Sequence, residues 1–338
     1  MTSTIDPRPA SEPALQPQDR TERLRFGATP QHVLLTGGTG FIGRQLVQAL
    51  RDDGHAVSVW TRDPTAAAKR FDPAVRCVQR LEELPASPAV DVVINLAGSP
   101  IVGPRWSAAR KAALLRSREG LTQALVAWIG ALAIRPWLLI SGSAIGYYGI
   151  QRQGDATALT EQSPSQAIFM SELCQRWEAA AHAATAYGVR VVCTRLGIVL
   201  GDEGSLPKLL LPVRMGAGGR LGSGQQVLSW VHVQDVLRAM SHVWGMAAMA
   251  RRTDAPIAPQ VYNFTAPGAV AQEAFTRVAA KVLHRPFWLP TPGWPMRLAL
   301  GEQADLLLEG QRVAPAQLLA TGFRFHFPDA RSALQDLC

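Results

Sequence analysis

The chain has 338 residues, of which 47% are hydrophobic and 18% charged, a composition typical of soluble globular proteins. Its 34 Lys and Arg against 26 Asp and Glu give a formal net charge of +8, which suits a polyanionic ligand such as a dinucleotide or a nucleic acid. No apolar run reaches about 18 residues, so we expect no transmembrane helix and no membrane partner. The N-terminus lacks the apolar core of a secretory signal, and the four cysteines lack paired metal spacing. We therefore expect a cytoplasmic protein without a metal site.

Residues 1–30 are rich in proline and polar side chains, and their charges balance. This composition predicts a disordered tail, removable up to about residue 28 without harm. We assign residues 31–200 to a dinucleotide-binding domain and residues 201–338 to a smaller α/β substrate-side and capping region.

The stretch from residue 32 to residue 62 passes from an apolar run through a glycine turn into a helical pattern, and then into a second apolar run. This order is typical of a β-α-β unit. Apolar runs of strand length and long helical patterns then alternate, over residues 91–98, 107–130, 136–143, 168–187 and 189–201. Strands that are apolar throughout and alternate with helices predict a doubly wound parallel sheet, the α/β fold of the Rossmann type.

The pattern changes after residue 201. A glycine-rich loop over residues 215–226 could close over a substrate as a lid or merely turn tightly. A strand-to-helix pattern begins at Trp230, a strand is predicted near residues 260–267, and a helix over about 271–283.

The glycine turn is the first motif that carries chemistry. Its glycines fit both G-x-G-x-x-G and G-x-x-G-x-x-G, between a strand and a helix. Small residues there let a pyrophosphate approach the backbone, and the helix N-terminus supplies free N–H groups. The predicted cofactor-binding residues of this turn are Gly37, Gly38, Thr39, Gly40, Phe41, Ile42 and Gly43.

The residues after the second strand distinguish NADP from NAD. Thr61 and Arg62 stand about 20 residues beyond the turn, where an NAD-binding protein places an acid. The planar guanidinium of an arginine makes paired bonds to phosphate oxygens, which suits the 2′-phosphate of NADP. Asp63 could instead bind the ribose hydroxyls of NAD, but it precedes Pro64 and fits a turn better. We therefore expect NADP.

Several stretches together resemble one family: LLTGGTGFIGR, VINLAGSPI, SGSAIGYYG, TRLGIVLG and LLLEGQRVAPAQLLATGF. On these motifs, which span nearly all the chain except the tail, it resembles the extended short-chain dehydrogenase/reductases. Within them it is most similar to the atypical epimerase family proteins that end in a domain of unknown function. The resemblance implies that Leu96, Ala97 and Gly98 pass beneath the cofactor's ribose. It also implies that Arg118 lies on the cofactor side and Val199 near the nicotinamide.

The resemblance further implies that Ser143 hydrogen-bonds a substrate carbonyl and that Y-x-x-x-K follows on a helix about 25 residues later. Here Ile168 or Phe169 stands in place of the tyrosine, and Glu172 in place of the lysine. A carboxylate would raise the pKa of a phenol, whereas the lysine lowers it. The usual catalytic pair is therefore absent.

Substitutes for the missing pair are close at hand. Tyr147 and Tyr148 follow the serine directly and could supply a phenol, so we predict Ser143 with one of them as the catalytic set. Glu172 could itself act as acid or base, but it could equally be a solvated helix acid or the partner of an arginine. His232 is a weaker candidate.

Three functions are compatible with these features. We favour an NADP-dependent oxidoreductase or epimerase-like enzyme acting on an unidentified small substrate. The alternative, supported by the missing lysine, is a non-catalytic NADP-binding redox sensor or partner-docking protein. A nucleic-acid-binding relative is the third, but the basic residues from Arg105 to Arg118 fit a solvated helix face better than an RNA track, so we expect no nucleic-acid partner. The sequence is also compatible with a homodimer.

Overall fold

The computed structural model describes residues 23–85, 87 and 89–338. The strands in this part of the chain are β1 (His32–Thr36), β2 (Ala56–Trp60), β3 (Arg76–Val78), β4 (Val92–Asn95), β5 (Leu138–Ala144), β6 (Arg190–Leu196), β7 (Ile198–Leu200), β8 (Val227–Leu228), β9 (Trp230–His232), β10 (Gln260–Phe264) and β11 (Val270–Ala271).

The helices are α1 (Phe41–Asp52), α2 (Pro64–Ala68), α3 (Ala108–Leu115), α4 (Leu121–Ala131), α5 (Phe169–His182), α6 (Leu206–Arg214), α7 (Val233–Arg252), α8 (Gln272–Val282), α9 (Trp294–Leu300), α10 (Asp305–Leu308), α11 (Ala316–Ala320) and α12 (Ala330–Leu337). A π-helical turn, Arg116–Gly120, joins α3 to α4. Short 3₁₀ helices cover Leu81–Glu83, Ile145–Tyr148, Ala183–Tyr187 and Gly301–Ala304.

Seven parallel strands form the main sheet in the order β10-β6-β5-β4-β1-β2-β3. The chain therefore builds the sheet in one direction from β1 to β3 and in the other from β4 to β10. Between β1 and β4 the loops that leave the carboxyl ends of the strands part to opposite sides, which is where sheets of this kind bind ligands. The predicted doubly wound Rossmann-type α/β fold is confirmed.

Helices cover both faces of the main sheet, which explains why its strands are apolar throughout. Helices α1 and α7 bury Leu46 and Met240 on one face, in the largest apolar cluster. On the other face α4 and α5 bury Leu125 and Ala181 against β4 to β6. The strand predicted over 189–201 is interrupted at Gly197, where a Cβ would lie 2.6 Å from the Ser229 oxygen.

The region predicted as residues 201–338 contributes to two layers. Its β10 extends the main sheet by pairing with β6, and its α7 covers one face of that sheet. The remainder builds a smaller core of its own around Leu210, Trp230, Phe275 and Phe327, between α6, α8 and α12. Part of the region over residues 201–338 therefore belongs to the main sheet and its cover.

The N-terminal segment corrects the predicted tail boundary. Residues 1–22 of the predicted tail lie outside the described residues, but Phe26 is fully buried in the main core. Its ring meets Trp244 edge-on at 5.9 Å between centroids, and its backbone N–H donates to Asp53 at 2.6 Å. The folded part thus begins before residue 31, because one aromatic side chain anchors an otherwise polar segment.

Replacing Phe26 with leucine should lower the free energy of unfolding by about 1–2 kcal/mol, from lost buried area and the lost ring contact with Trp244. Urea denaturation of the full chain measures the change. Removal of residues 1–22 serves as the comparison and should leave that free energy within error of the full chain. An equal effect of the two changes would contradict an anchoring role for Phe26.

Within the described ranges, no helix combines the length and apolar character needed to cross a lipid bilayer.

Candidate functional site

The glycine turn after β1 approaches the backbone that follows β4. Gly37 has a φ of +70°, and a Cβ on it would lie 2.8 Å from the Ala97 nitrogen. A Cβ on Gly43 would collide with the Gly37 oxygen, so α1 can begin this close to the turn only with glycine there. Gly40 precedes α1, which has no side-chain cap and no acid in its first turn. The N-terminal N–H groups of α1 can therefore meet an anionic group.

Arg62 and Asp63 have different environments after β2. Asp63 caps α2 by accepting from the Ala66 N–H at 2.9 Å, which confirms that it belongs to the turn. Arg62 is exposed and makes no hydrogen bond or ion pair with any described residue. Thr61 is half-buried beside it. The Arg62 side chain is therefore free to bind a phosphate.

The turn after β4 is held by the π-helical turn. Arg118 lies against Gly98, where a Cβ would come within 3.1 Å of the guanidinium carbon, and it donates to the Ser99 oxygen at 3.0 Å. The guanidinium also lies over the Trp177 ring at 5.3 Å, and burial lowers its pKa. The structure thus brings the predicted Arg118 to the predicted Gly98.

Residues beyond β6 close the other side of the glycine turn. The Phe41 ring packs against Gly201 and Gly204, in the loop that follows β7. Val199, in β7, pairs with Val231 of β9 and packs against the main core, as Ile42 does. Phe41 therefore links the start of α1 to the loop that follows the strand of Val199.

A buried polar network occupies the carboxyl end of β5. Ser143 donates to Glu178 of α5 at 2.6 Å, and both side chains are buried. Arg195 of β6 donates two hydrogen bonds to the same carboxylate, from Nε to Oε1 and from Nη2 to Oε2, each 2.8 Å long. Two charge-assisted bonds in one plane fix the Glu178 carboxylate, and with it the direction of the Ser143 hydroxyl.

The two tyrosines differ in burial and in contacts. Tyr148 is 1% exposed, donates to Asn263 at 2.7 Å and accepts from Arg195 at 2.9 Å. Burial raises the pKa of Tyr148 to about 12, although the neighbouring Arg195 acts in the opposite direction. Tyr147 is half-buried, and its ring lies 3.3 Å from the guanidinium carbon of Arg195. Of the two phenols, only that of Tyr147 is free of a side-chain hydrogen bond among the described residues.

The weaker candidates have structural roles. Glu172 is exposed and pairs with Arg176, one turn further along α5, at 3.2 Å. His232 is buried, caps α7 by accepting from the Gln234 N–H, and stacks on Phe327 at 3.8 Å. Burial lowers the pKa of His232, against the opposing influence of nearby Asp336.

Sequence reasoning assigned no role to Glu178, Arg195 or Asn263. The signals were present. Glu178 lies on the face of α5 that also buries Leu173, Cys174 and Trp177. Arg195 lies in β6 shortly after the apolar run Val191–Cys193. A charge of each sign in neighbouring buried elements indicates a buried ion pair.

Comparison with known proteins adds the family to this geometry. The model of the NAD dependent epimerase/dehydratase family matches residues 33–263. The chain belongs to this family. A domain of unknown function, DUF1731, matches residues 291–337, so the resemblance drawn from the motifs is confirmed.

Other family members match over nearly their whole length. The epimerase family protein YfhF of Bacillus subtilis is 35% identical over 310 residues, which cover 90% of this chain and 97% of YfhF. The mouse protein SDR39U1 is 36% identical over 314 residues, 90% of this chain and 99% of its own. The crystal structure of human SDR39U1 (isoform 2) with NADPH has a TM-score of 0.76 and 32% identity, and covers 90% of this chain and 98% of that one.

Proposed function

We propose that the protein is an NADP-dependent oxidoreductase or epimerase-like enzyme acting on a small substrate that carries a carbonyl or hydroxyl group. The observation that carries this proposal is the position of Ser143 and Tyr147. Ser143 lies at the carboxyl end of β5 and Tyr147 directly after it, at the edge of the sheet where the glycine turn and the Leu96–Gly98 turn meet. NADPH in the related human structure supports the choice of cofactor.

The residues present fit this cofactor. The glycine turn and the uncapped start of α1 would hold the pyrophosphate. Arg62 would bind the 2′-phosphate, since Asp63 is engaged in capping α2. Leu96, Ala97 and Gly98 would lie under the ribose, with Arg118 beside them. When bound, the nicotinamide supplies or accepts a hydride.

Ser143 and Tyr147 would handle the substrate oxygen and its proton. The Ser143 proton points to Glu178, so the serine oxygen has lone pairs left for a substrate hydroxyl. To bind a substrate carbonyl, the Ser143 hydroxyl would have to turn away from Glu178 and donate its proton to the carbonyl oxygen. Arg195 places a positive charge against the Tyr147 ring. This charge would replace the one that the usual lysine supplies to the catalytic tyrosine. We assign proton transfer to Tyr147 and a positioning role, through Arg195, to Tyr148.

Consumption of NADPH tests the proposal. The purified full chain is mixed with NADPH and a panel of small aldehydes and ketones, and absorbance of the reduced nicotinamide is followed. We expect substrate-dependent oxidation with at least one class of carbonyl compound, and its loss in Tyr147→Phe. Tight NADPH binding without oxidation of any panel member would contradict the enzyme and favour the second candidate.

That second candidate is a non-catalytic NADP-binding sensor or docking protein. Two observations favour it: Glu172 replaces the lysine and lies at the surface, and Tyr148 is fixed between Arg195 and Asn263. A sensor would bind the two redox forms of the cofactor with different affinities and turn over neither.

Replacing Arg62 with aspartate should weaken NADP binding by about 1.5–3 kcal/mol, the usual value of hydrogen bonds to a charged group. NAD affinity should change little, because NAD lacks the 2′-phosphate. Titration calorimetry measures both affinities. Arg252→Asp, at an exposed position at the end of α7, is the matched control. Equal affinity of the unaltered protein for NADP and NAD would rule out the assignment of Arg62.

A further inference from the structure

Two segments of the C-terminal half are basic and contain no acid. Residues 204–226 and 274–301 together hold seven Lys and Arg, but neither Asp nor Glu. A surface helix or loop normally mixes both signs of charge. Two segments whose charged residues are all positive indicate attraction to an anionic partner.

Part of each segment joins one surface. The backbone of residues 218–221 pairs in parallel with that of residues 287–291, through bridges Gly218–Phe287 and Leu221–Thr291. The Trp288 indole N–H donates to the Gly216 oxygen at 3.0 Å. These hydrogen bonds hold the glycine-rich loop against the chain that leads into α9, so the loop adopts a fixed turn.

This surface exposes large apolar side chains. Met215 is 72% exposed, Trp288 65%, Trp294 70% and Leu298 74%. Trp294 and Leu298 are four residues apart in α9 and so lie on the same side of that helix. We call Leu211, Met215, Trp288, Leu289, Trp294 and Leu298 the C-terminal patch; all six are exposed. Grouped exposure of this kind marks an interaction site, unlike single scattered apolar residues.

Unpaired cations belong to the same two segments as the patch. The exposed cations that form no ion pair with a described acid are Lys208, Arg214, Arg220, Lys281 and Arg285. The other two cations, Arg277 and Arg297, pair with acids just outside the segments: Glu273, and Asp305 with Glu309. Glu302 pairs with Lys111. Glu203, which precedes the first segment, pairs with Arg44. Of the acids that adjoin the two segments only Asp202 forms no ion pair with a described residue, so the five unpaired cations leave a net positive charge.

We propose that the C-terminal patch docks onto an anionic phospholipid surface. Tryptophan prefers the boundary between lipid headgroups and acyl chains, because its ring is apolar and its N–H is polar. Leucine and methionine add apolar area, and Lys and Arg are attracted to anionic headgroups. Such docking needs no membrane-spanning helix. The proposal therefore keeps the expectation that no segment spans a membrane, but replaces the expectation that the protein has no membrane partner.

Vesicle sedimentation with the full chain tests this proposal. We expect the protein to bind vesicles of phosphatidylcholine with about one-third phosphatidylserine, and to bind phosphatidylcholine alone far more weakly. Binding should fall as salt rises, since the charge term is screened. Failure to bind the anionic vesicles at low salt would overturn the proposal.

Two pairs of variants separate the patch from general stickiness. Trp294→Ser with Leu298→Ser should lower vesicle affinity at least about tenfold, whereas Ile134→Ser, at a residue 68% exposed elsewhere, should not. Lys281→Glu should lower it at least about fivefold. Arg252→Glu is its matched control, because both are exposed cations in the last turn of a helix. Equal effects of patch and control variants would also overturn the proposal.

The same variants distinguish a protein occupant from a lipid one. If Trp294→Ser with Leu298→Ser converts a dimer to a monomer in analytical ultracentrifugation, and no variant binds vesicles, the patch joins two copies of the chain and the lipid proposal is wrong. NADP affinity measured on each variant confirms folding, because no patch residue belongs to the proposed cofactor site.

Discussion

Ser143→Ala should lower turnover by about 10²–10³, the usual effect of removing one hydrogen-bonding group that acts on the reacting oxygen. Ser143 is the hydroxyl at the carboxyl end of β5, and Glu178 and Arg195 fix its direction. Steady-state rates of NADPH oxidation, with whichever carbonyl compound proves to be a substrate, measure the loss. The affinity for NADP should stay the same, because we assign Ser143 to the substrate and not to the cofactor.

Ser141→Ala is the matched control for this change. Ser141 lies two residues earlier in β5, is fully buried, and accepts from Asn95 at 3.3 Å. Its loss removes the same chemical group from the same strand at a place away from the proposed substrate oxygen. If both alanine variants lost activity equally, the serine would act through the strand and not on the substrate.

The second large effect is on stability. Glu178→Leu leaves Arg195 buried without its carboxylate, which should lower the free energy of unfolding by about 3–5 kcal/mol. Replacing both partners, with Glu178→Leu and Arg195→Met, removes the uncompensated charge and should restore part of that loss. Urea denaturation at neutral pH measures the loss in each single variant, Glu178→Leu and Arg195→Met, and in the double variant.

An exposed pair provides the comparison. Glu273→Leu breaks the ion pair with Arg277 on α8, where water screens the charges, and should cost at most about 1 kcal/mol. A Glu178→Leu loss no larger than this would mean that water reaches Arg195. A double variant as unstable as the sum of its single variants would show that the two groups do not interact.

Most of the main sheet was predictable because six of its seven strands carry their own signal. Apolar runs of strand length located β1, β2, β4, β5, β6 and β10, and their alternation with helices predicted parallel pairing, whereas the three-residue β3 was not predicted. The burial of Phe26 was not predicted because a single aromatic residue in a polar stretch shows no hydrophobic periodicity. Its partner Trp244 is more than two hundred residues away in the chain.

The candidate site was predictable only where backbone requirements leave a mark. A positive φ at Gly37 and the close approach of Gly43 demand glycine, so that turn can be located from residue type alone. The contact of Ser143 with Glu178 instead depends on how α5 packs against β5, and that packing follows from the complete core. Local sequence could signal that Glu178 is a buried acid, but not which hydroxyl it binds.

The π-helical turn at Arg116–Gly120 also governs which length changes the chain tolerates. Each residue advances an α-helix by about 100°, so eight residues end about 80° past a whole number of turns, whereas seven end within about 20° of one. Leu114 and Thr122 are eight residues apart and both are buried, with Thr122 at 2.8 Å from Asn95 of β4, because the wider π-helical turn takes up the extra residue. Removal of one residue from the turn would therefore let α3 and α4 join as one regular helix with both residues still facing the core. A one-residue deletion inside α4 would instead rotate the following side chains away from the sheet. We expect the turn to tolerate the loss of a residue better than α4 does.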